Sequence, residues 1–209
     1  MNEAKRIVDQ ALSILQKKPI DGYEVYLNQS LYCYIESKDG KVDTFQTSHS
    51  FGMAFRILNR QRMGFSYITS PNPSRSIHEN VPEEVERMIE DAIYSAEVAS
   101  ADPCFDFAPV LRDLPTHPPI FDETLEGVPE KVKIEKAKLL EKTAQSVDSR
   151  RIKKVRKASY EEVLSRIILI NSNGLQFSYP SSLVSISVTA VAEESGESEV
   201  MGFRFHPFF

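Results

Sequence analysis

The chain contains no tryptophan, only two cysteines and eight glycines in 209 residues, and no apolar run long enough to cross a bilayer as a helix. The start, Met1-Asn2-Glu3-Ala4-Lys5-Arg6, runs straight into an amphipathic pattern with no apolar signal core, so a cytoplasmic location is expected. Cys33 and Cys104 lie far apart in different kinds of segment, which excludes a disulfide framework and a zinc ribbon and leaves buried or incidental thiols. There is no CxxC pair, no nucleophile elbow and no phosphate-cradling glycine loop, so no catalytic residue is assigned. An excess of basic charge is missing too. Twenty-five Lys and Arg stand against thirty Asp and Glu, and a net charge of −5 argues against a protein that coats nucleic acid.

What is present is enough to build a core. With 41% hydrophobic and 26% charged residues, the chain falls in the ordinary globular class, as one domain or two closely packed halves. Its clearest pattern runs from Ile167 to Glu193: an apolar run, the turn Asn171-Ser172-Asn173-Gly174, and two runs rich in Val, Ile, Phe, Tyr, Ser and Thr. That order is the signature of an antiparallel meander, with Asn173 and Gly174 suited to positive φ in the turn.

The pattern occurs twice. Ser37-Lys38-Asp39-Gly40 punctuates the first half as Asn171-Ser172-Asn173-Gly174 does the second, and Met63-Gly64-Phe65-Ser66-Tyr67 is echoed by Met201-Gly202-Phe203-Arg204-Phe205. The spacing differs by four residues, which a longer hairpin loop within Glu193 to Glu199 would absorb. A helix precedes each meander: Glu3 to Lys18, stopped by Pro19, and Glu130 to Val147, opened by Pro129, with Ala137, Leu140, Ala144 and Val147 on its apolar face. A further helix opens at Asn80-Val81-Pro82-Glu83 and carries Val85, Met88, Ile89, Ala92, Ile93, Ala96 and Ala99 as a broad stripe. The first half reads as four strands: Tyr23 to Ile35, Lys41 to Gln46, Phe51 to Leu58 and Met63 to Ile68. In the second, Ile152 to Ala158 and Glu162 to Ile170 read as separate runs. The expected fold is α+β, with two helix-plus-meander halves (1–101 and 128–209), read either as a pseudo-repeat or as two look-alike meanders of separate origin, whose helices pack on the sheet. The proline-rich stretch 102–127 joins them as a connector without regular structure, packed down through Phe105, Phe107, Leu111, Ile120 and Phe121.

Few groups could carry chemistry. Arg60 and Arg62 at the Asn59–Arg62 hairpin tip could hold a phosphate, a carboxylate or a peptide end through bidentate guanidinium contacts, or form a solvated turn. His78-Glu79 followed by Glu83 has a superficial metal-helix spacing, but Pro82 places His78 and Glu79 before the helix, where they share no face. His49, His117 and His206 have no partner at ligand spacing. The run Arg150, Arg151, Lys153, Lys154, Arg156 and Lys157 is the one strongly basic surface. It lacks the interleaved aromatics of a single-strand platform, which favours a solvated edge.

The chain resembles the TldD/PmbA family, whose members are called modulators of DNA gyrase and classed with zinc metallopeptidases. The resemblance rests on Glu36 to Val42, Phe51-Gly52-Met53-Ala54-Phe55-Arg56, Arg62-Met63-Gly64-Phe65, Ala99 to Pro103, Lys136 to Asp148 running into Arg151-Ile152, and Asn171-Ser172-Asn173-Gly174, in that order. The second half is more similar to the PmbA (TldE) branch. The resemblance implies that 1–209 is the N-terminal region of a protein about twice as long, with the β-rich C-terminal domain absent, as a fragment or a truncated product. In the TldD branch zinc is held by an H-E-x-x-x-H helix beyond this region, so no metal ligand, cofactor or zinc catalysis is expected in this chain. PmbA-like members imply a partner role: pairing with a TldD-like subunit, or self-association, to enclose a chamber for unfolded peptides. Two other readings stay open, a sheet-edge peptide-binding module and a DNA gyrase-associated nucleic-acid factor.

Overall fold

The computed structural model describes residues 2–70, 81–110 and 120–206. The element order is α1 (Asn2–Leu15), β1 (Gly22–Lys38), β2 (Lys41–Asn59), β3 (Arg62–Ser70), α2 (Val81–Val98), a 3-10 turn (Glu123–Gly127), α3 (Glu130–Val147), β4 (Ile152–Asn171), β5 (Gln176–Glu194) and β6 (Glu197–Phe205). The strands hydrogen-bond in the order β3-β2-β1-β4-β5-β6. The fold is α+β, with two helix-and-meander halves as the sequence predicts.

The strands are longer and fewer than the sequence pattern suggests. Lys41 to Asn59 is one strand, although its first ten residues are mostly exposed and only from Phe51 does burial alternate. The sequence pattern covers Lys41 to Gln46 and Phe51 to Leu58 but leaves out 47–50, where every residue is exposed and no alternation marks the strand. β4 likewise runs unbroken through Ile152–Asn171, and β5 passes through Pro180.

Chain contacts divide into two compact units, and β1, β2, β4 and β5 each contribute residues to both. In the first (1–30, 49–117 and 165–180), α1 and α2 cover one face of the sheet. Ile7, Val8, Ala11 and Leu15 of α1 pack with Val85, Met88, Ile89 and Ala92 of α2 over Val25, Leu27, Met53, Phe55 and Ile57. Helix α1 ends at Leu15 rather than Lys18, and Lys18 instead pairs with Glu86 and Glu90 of α2 at 3.6 and 3.3 Å.

In the second unit (31–48, 118–164 and 181–209), α3 covers the sheet alone among the described residues. Its buried face differs from the expected one. Lys133, Ala137 and Glu141 face inward, Leu140 and Ala144 are half-buried, and Val147 is exposed. Two charged residues replace aliphatic ones because each meets a buried polar partner on the strands, as described below.

The turns at Asp39-Gly40, Arg60-Gln61 and Asn171–Gly174 fall where the sequence places them, although of Asn173 and Gly174 only Gly174 has positive φ. Asp39 and Gly40, Arg60 and Gln61, and Ser195 and Gly196 all have positive φ, the two-residue geometry that matches strand twist. The last of these corrects the expected longer loop: β5 and β6 pair from Glu194↔Glu197 to Ile186↔Phe205, so the extra residues lengthen the strands. In the connector, Phe107 is buried and the Phe107 and Ala108 carbonyls accept hydrogen bonds from Asn173 and Asn171 at 2.8 and 2.9 Å. The 3-10 turn, capped by Asp122 and anchored by Leu125, is regular structure where the proline content predicted none. Leu111 lies outside the described residues.

Candidate functional site

Each unit has a sheet face away from its helices. In the first, burial of Val25 and Leu27 toward the helices turns Glu24 and Tyr26 to the opposite face, and the same alternation turns out Ala54, Arg56, Phe65 and Tyr67. These side chains, with Leu169, line a groove of about 430 Å³. The Phe65 and Tyr67 rings stack at 5.7 Å. At the floor, the Arg56 guanidinium donates through Nε to Glu24 Oε1 at 2.8 Å and lies 5.5 Å from the Phe107 ring. Glu24 is buried and Arg56 half-exposed.

The equivalent face of the second unit is polar. Tyr34 donates to Glu36 at 2.8 Å, and the Lys157 ammonium lies 3.2 Å from Glu36 and 5.3 Å from the Tyr34 ring. The hydrogen bond to Tyr34, followed by that to Glu36, raises the Lys157 pKa and keeps it cationic. Ser159 and Ser187 share a hydrogen bond of 2.6 Å. Ser185 donates to Glu161 at 3.2 Å, and Arg204 reaches both. Burial, then the negative charge of Glu161, raises the Tyr32 phenol above its ordinary value.

Beneath that face lies a buried network. Lys133 Nζ donates to Glu162 Oε1 at 2.6 Å, and Tyr160 donates to Glu162 Oε2 at 2.5 Å. Glu162 is only 3% exposed, so its charge depends on these two donors. Burial first, and the carboxylate second, hold the Tyr160 phenol protonated far above its ordinary range. Burial also raises the Cys33 thiol. Further along α3, Glu141 accepts from Ser37 at 2.5 Å and from the Gly40 amide at 3.3 Å, which ties the helix to the β1–β2 turn.

The two arginines of the hairpin tip do different things. Arg60 is exposed and its amide donates to Asp21 at 2.5 Å, whereas Arg62 donates through Nη1 to the Glu97 carbonyl at 2.6 Å, near the end of α2. The basic run also disperses. Arg151 pairs with Glu194 at 2.9 Å and approaches Asp148, Lys157 belongs to the Tyr34–Glu36 cluster, and Arg150 and Arg156 are exposed. Lys153 and Lys154 project from β4 beside Lys138 and Lys142 of α3.

Sequence reasoning missed the Glu24–Arg56 and Lys133–Glu162–Tyr160 groups. A signal existed for the second, since Glu162 shares a strand phase with Ala158, Tyr160 and Leu164, and a charge on an apolar phase demands a partner. His49 is exposed within β2 and His206 is exposed after β6, while His78, Glu79 and His117 lie outside the described residues. Among the described residues no group of three His, Cys, Asp or Glu side chains is placed to hold a metal, so they do not fit a zinc centre. No helix among them is long and apolar enough to cross a membrane.

Family models match residues 23–96 as domain 1 and residues 123–208 as the central domain of the PmbA/TldA metallopeptidases. Similar solved structures include TldE from Thermococcus kodakarensis, with a TM-score of 0.73 and 15% identity over 97% of this chain and 42% of that one. A candidate modulator of a DNA gyrase from Thermotoga maritima matches with the same TM-score, identity and coverage. Another, from Bacteroides thetaiotaomicron, has a TM-score of 0.77 and 20% identity over 98% of this chain and 45% of that one. At these identities the likeness establishes the fold. The chain spans less than half the length of these structures. No curated protein matches it.

Proposed function

Because the chain belongs to the PmbA/TldD metallopeptidase family and carries its first and central domains, we propose that it acts as the non-catalytic part of a PmbA- or TldE-like subunit. In this reading it contributes a chamber wall and an interface to a proteolytic assembly whose zinc belongs to a TldD-like companion. The observation that carries the interface is the state of β6. Ile186, Val188 and Ala190 of β5 pair with Phe205, Phe203 and Met201. Partners across a strand pair share a side, and Ile186 packs against the core beneath α3. The three β6 side chains therefore project on the helix-bearing side, yet Met201 and Phe203 are 67% and 66% exposed. In the first unit α2 packs on β3, so the strand at that end of the sheet is covered. A row of exposed apolar side chains of this size supports the interface reading.

The test is co-purification of the chain with a TldD-like protein from the same genome, monitored by light scattering. A stable hetero-complex that Phe203→Lys weakens by about tenfold or more supports the reading. A complex indifferent to Phe203→Lys removes β6 from the interface, and a chain that alone binds zinc and cleaves peptides overturns the non-catalytic role.

A second reading, docking of an extended peptide along β3, is favoured by the Tyr26–Phe65–Tyr67 groove beside this end strand. Titration of an unfolded peptide that shifts no amide resonance between Arg62 and Ser70 would remove it.

A further inference from the structure

Lysines distant in sequence meet around one pocket in the second unit. Lys138 and Lys142, one turn apart on α3, face Lys153 and Lys154 at the start of β4, and the pocket between them has a volume of about 430 Å³. Asp39 and Gly40 of the β1–β2 turn form a third wall. Among the described residues Lys142, Lys153 and Lys154 form no ion pair, and Lys138 reaches only Glu135, at 3.8 Å. The acidic residues do not cancel this charge in full. Four ammonium groups face the two carboxylates of Asp39 and Glu141, and Glu141 is already engaged by the Ser37 hydroxyl and the Gly40 amide. A concentration of positive charge in a concave site runs against the acidic balance of the whole chain, which carries a net −5. Like charges held together in a cleft raise the local concentration of anions and are relieved by binding one.

We infer that this pocket binds a small polyphosphate group, held by the Lys138, Lys142, Lys153 and Lys154 ammoniums with the Gln145 amide as an additional donor. The chemistry of the walls narrows the ligand. Lysine ammoniums are mobile point-charge donors that suit several phosphoryl groups in succession, whereas a single planar carboxylate is better matched by the arginine fork. The lining contains no aromatic ring, and Val155 is its one aliphatic side chain, so no platform exists for stacking a base. Recognition therefore rests on the phosphoryl groups, whether free or as the tail of a larger molecule, and not on a nucleic-acid strand.

The experiment titrates inorganic pyrophosphate and tripolyphosphate into the 209-residue chain, followed by calorimetry and by amide resonances at low and high salt. Binding should shift Gly40, Gln145 and the Lys153–Val155 amides, tripolyphosphate should bind more tightly than pyrophosphate, and salt should weaken both. The double variant Lys142→Gln/Lys153→Gln should lower affinity by about tenfold or more with no fall in thermal midpoint. The control Arg150→Gln/Arg156→Gln should bind as the parent does. A nucleoside triphosphate binding no tighter than tripolyphosphate would place recognition on the phosphates alone. Absence of shifts up to ~10 mM ligand, or equal weakening by the control variant, overturns the pocket. Tighter binding of a short DNA duplex than of tripolyphosphate overturns the small-ligand assignment in favour of an extended polyanion surface.

Discussion

A Cβ placed on Gly64 of β3 would stand 2.8 Å from the Cβ of Ala96 on α2, and the Ala92 carbonyl and Ala96 amide are closer still. No side chain fits between this strand and this helix. Gly202 of β6, its counterpart in the Met-Gly-Phe echo, meets nothing nearer than Thr189 Oγ1 at 3.5 Å, an ordinary contact. Gly64 pairs with Ile57 on the helix-covered face, whereas Gly202 pairs with Thr189 on the opposite face. Gly64→Ala should therefore destabilise the protein by about 1–3 kcal/mol through overpacking, and Gly202→Ala should be nearly neutral. Urea midpoints of the two variants check this, and equal midpoints would refute it.

Glu162 depends on Lys133. Lys133→Met would leave a carboxylate buried with only the Tyr160 hydroxyl as donor, at an expected cost of about 3 kcal/mol or more. The double variant Lys133→Met/Glu162→Leu removes both charges and should recover much of that loss, because the unpaired charge and not the missing ion pair is what destabilises. Chemical denaturation of the two single variants and the double variant measures the coupling. A double variant as unstable as the sum of the two singles would exclude it.

Alkaline pH should destabilise the fold. Tyr160, Tyr32, Cys33 and Lys157 all have folded pKa values raised above their ordinary ones, so the folded state holds protons that the unfolded chain releases first. Their contribution is complete below the unfolded values, roughly 8.5 for the thiol and 10 for the phenols and the amine, and is lost as pH climbs from there toward the folded values. Thermal midpoints measured from pH 7 to 11 should fall with increasing slope. Tyr160→Phe should flatten that slope, since Tyr160 has the largest shift, and an unchanged slope would assign the effect elsewhere.

Asn171 holds the β4–β5 connection. Its Oδ1 accepts from the Asn173 and Leu175 amides at 3.0 and 3.1 Å, while Nδ2 donates to the Ala108 carbonyl at 2.9 Å. Asn171→Ala should cost about 2–3 kcal/mol because buried backbone groups lose their partner. Gly174, at φ +87°, should lose on the order of 1 kcal/mol on replacement by Ala and more by Val, since Val110 Cγ2 would lie 3.1 Å from the new Cβ. Hydrogen exchange should show faster opening of the Asn173 and Leu175 amides in Asn171→Ala, and unchanged protection there would contradict this role.

By itself the sequence determined the fold class, the helices and the two meanders in their order, but not the number of strands. Helical spacing located α2 and α3, turn residues located the β1–β2 turn at Asp39-Gly40 and the positive φ of Gly174, and the ordered resemblance pointed to the family whose two domain models match. These are local properties, set by propensity and periodicity within a few residues. Tertiary structure alone decided where the strands end, because alternation disappears where β2 has no packed face. It also decided the faces. The two Met-Gly-Phe segments look alike in sequence, but registers counted from their turns differ by an odd number of residues, and an odd shift moves a side chain to the other side of a strand. The charged groups followed the same division. The basic run was visible as a run, yet its members separated into the Arg151–Glu194 pair, the Lys157 cluster and the Lys153–Lys154 wall, because each finds its partners on elements distant in sequence.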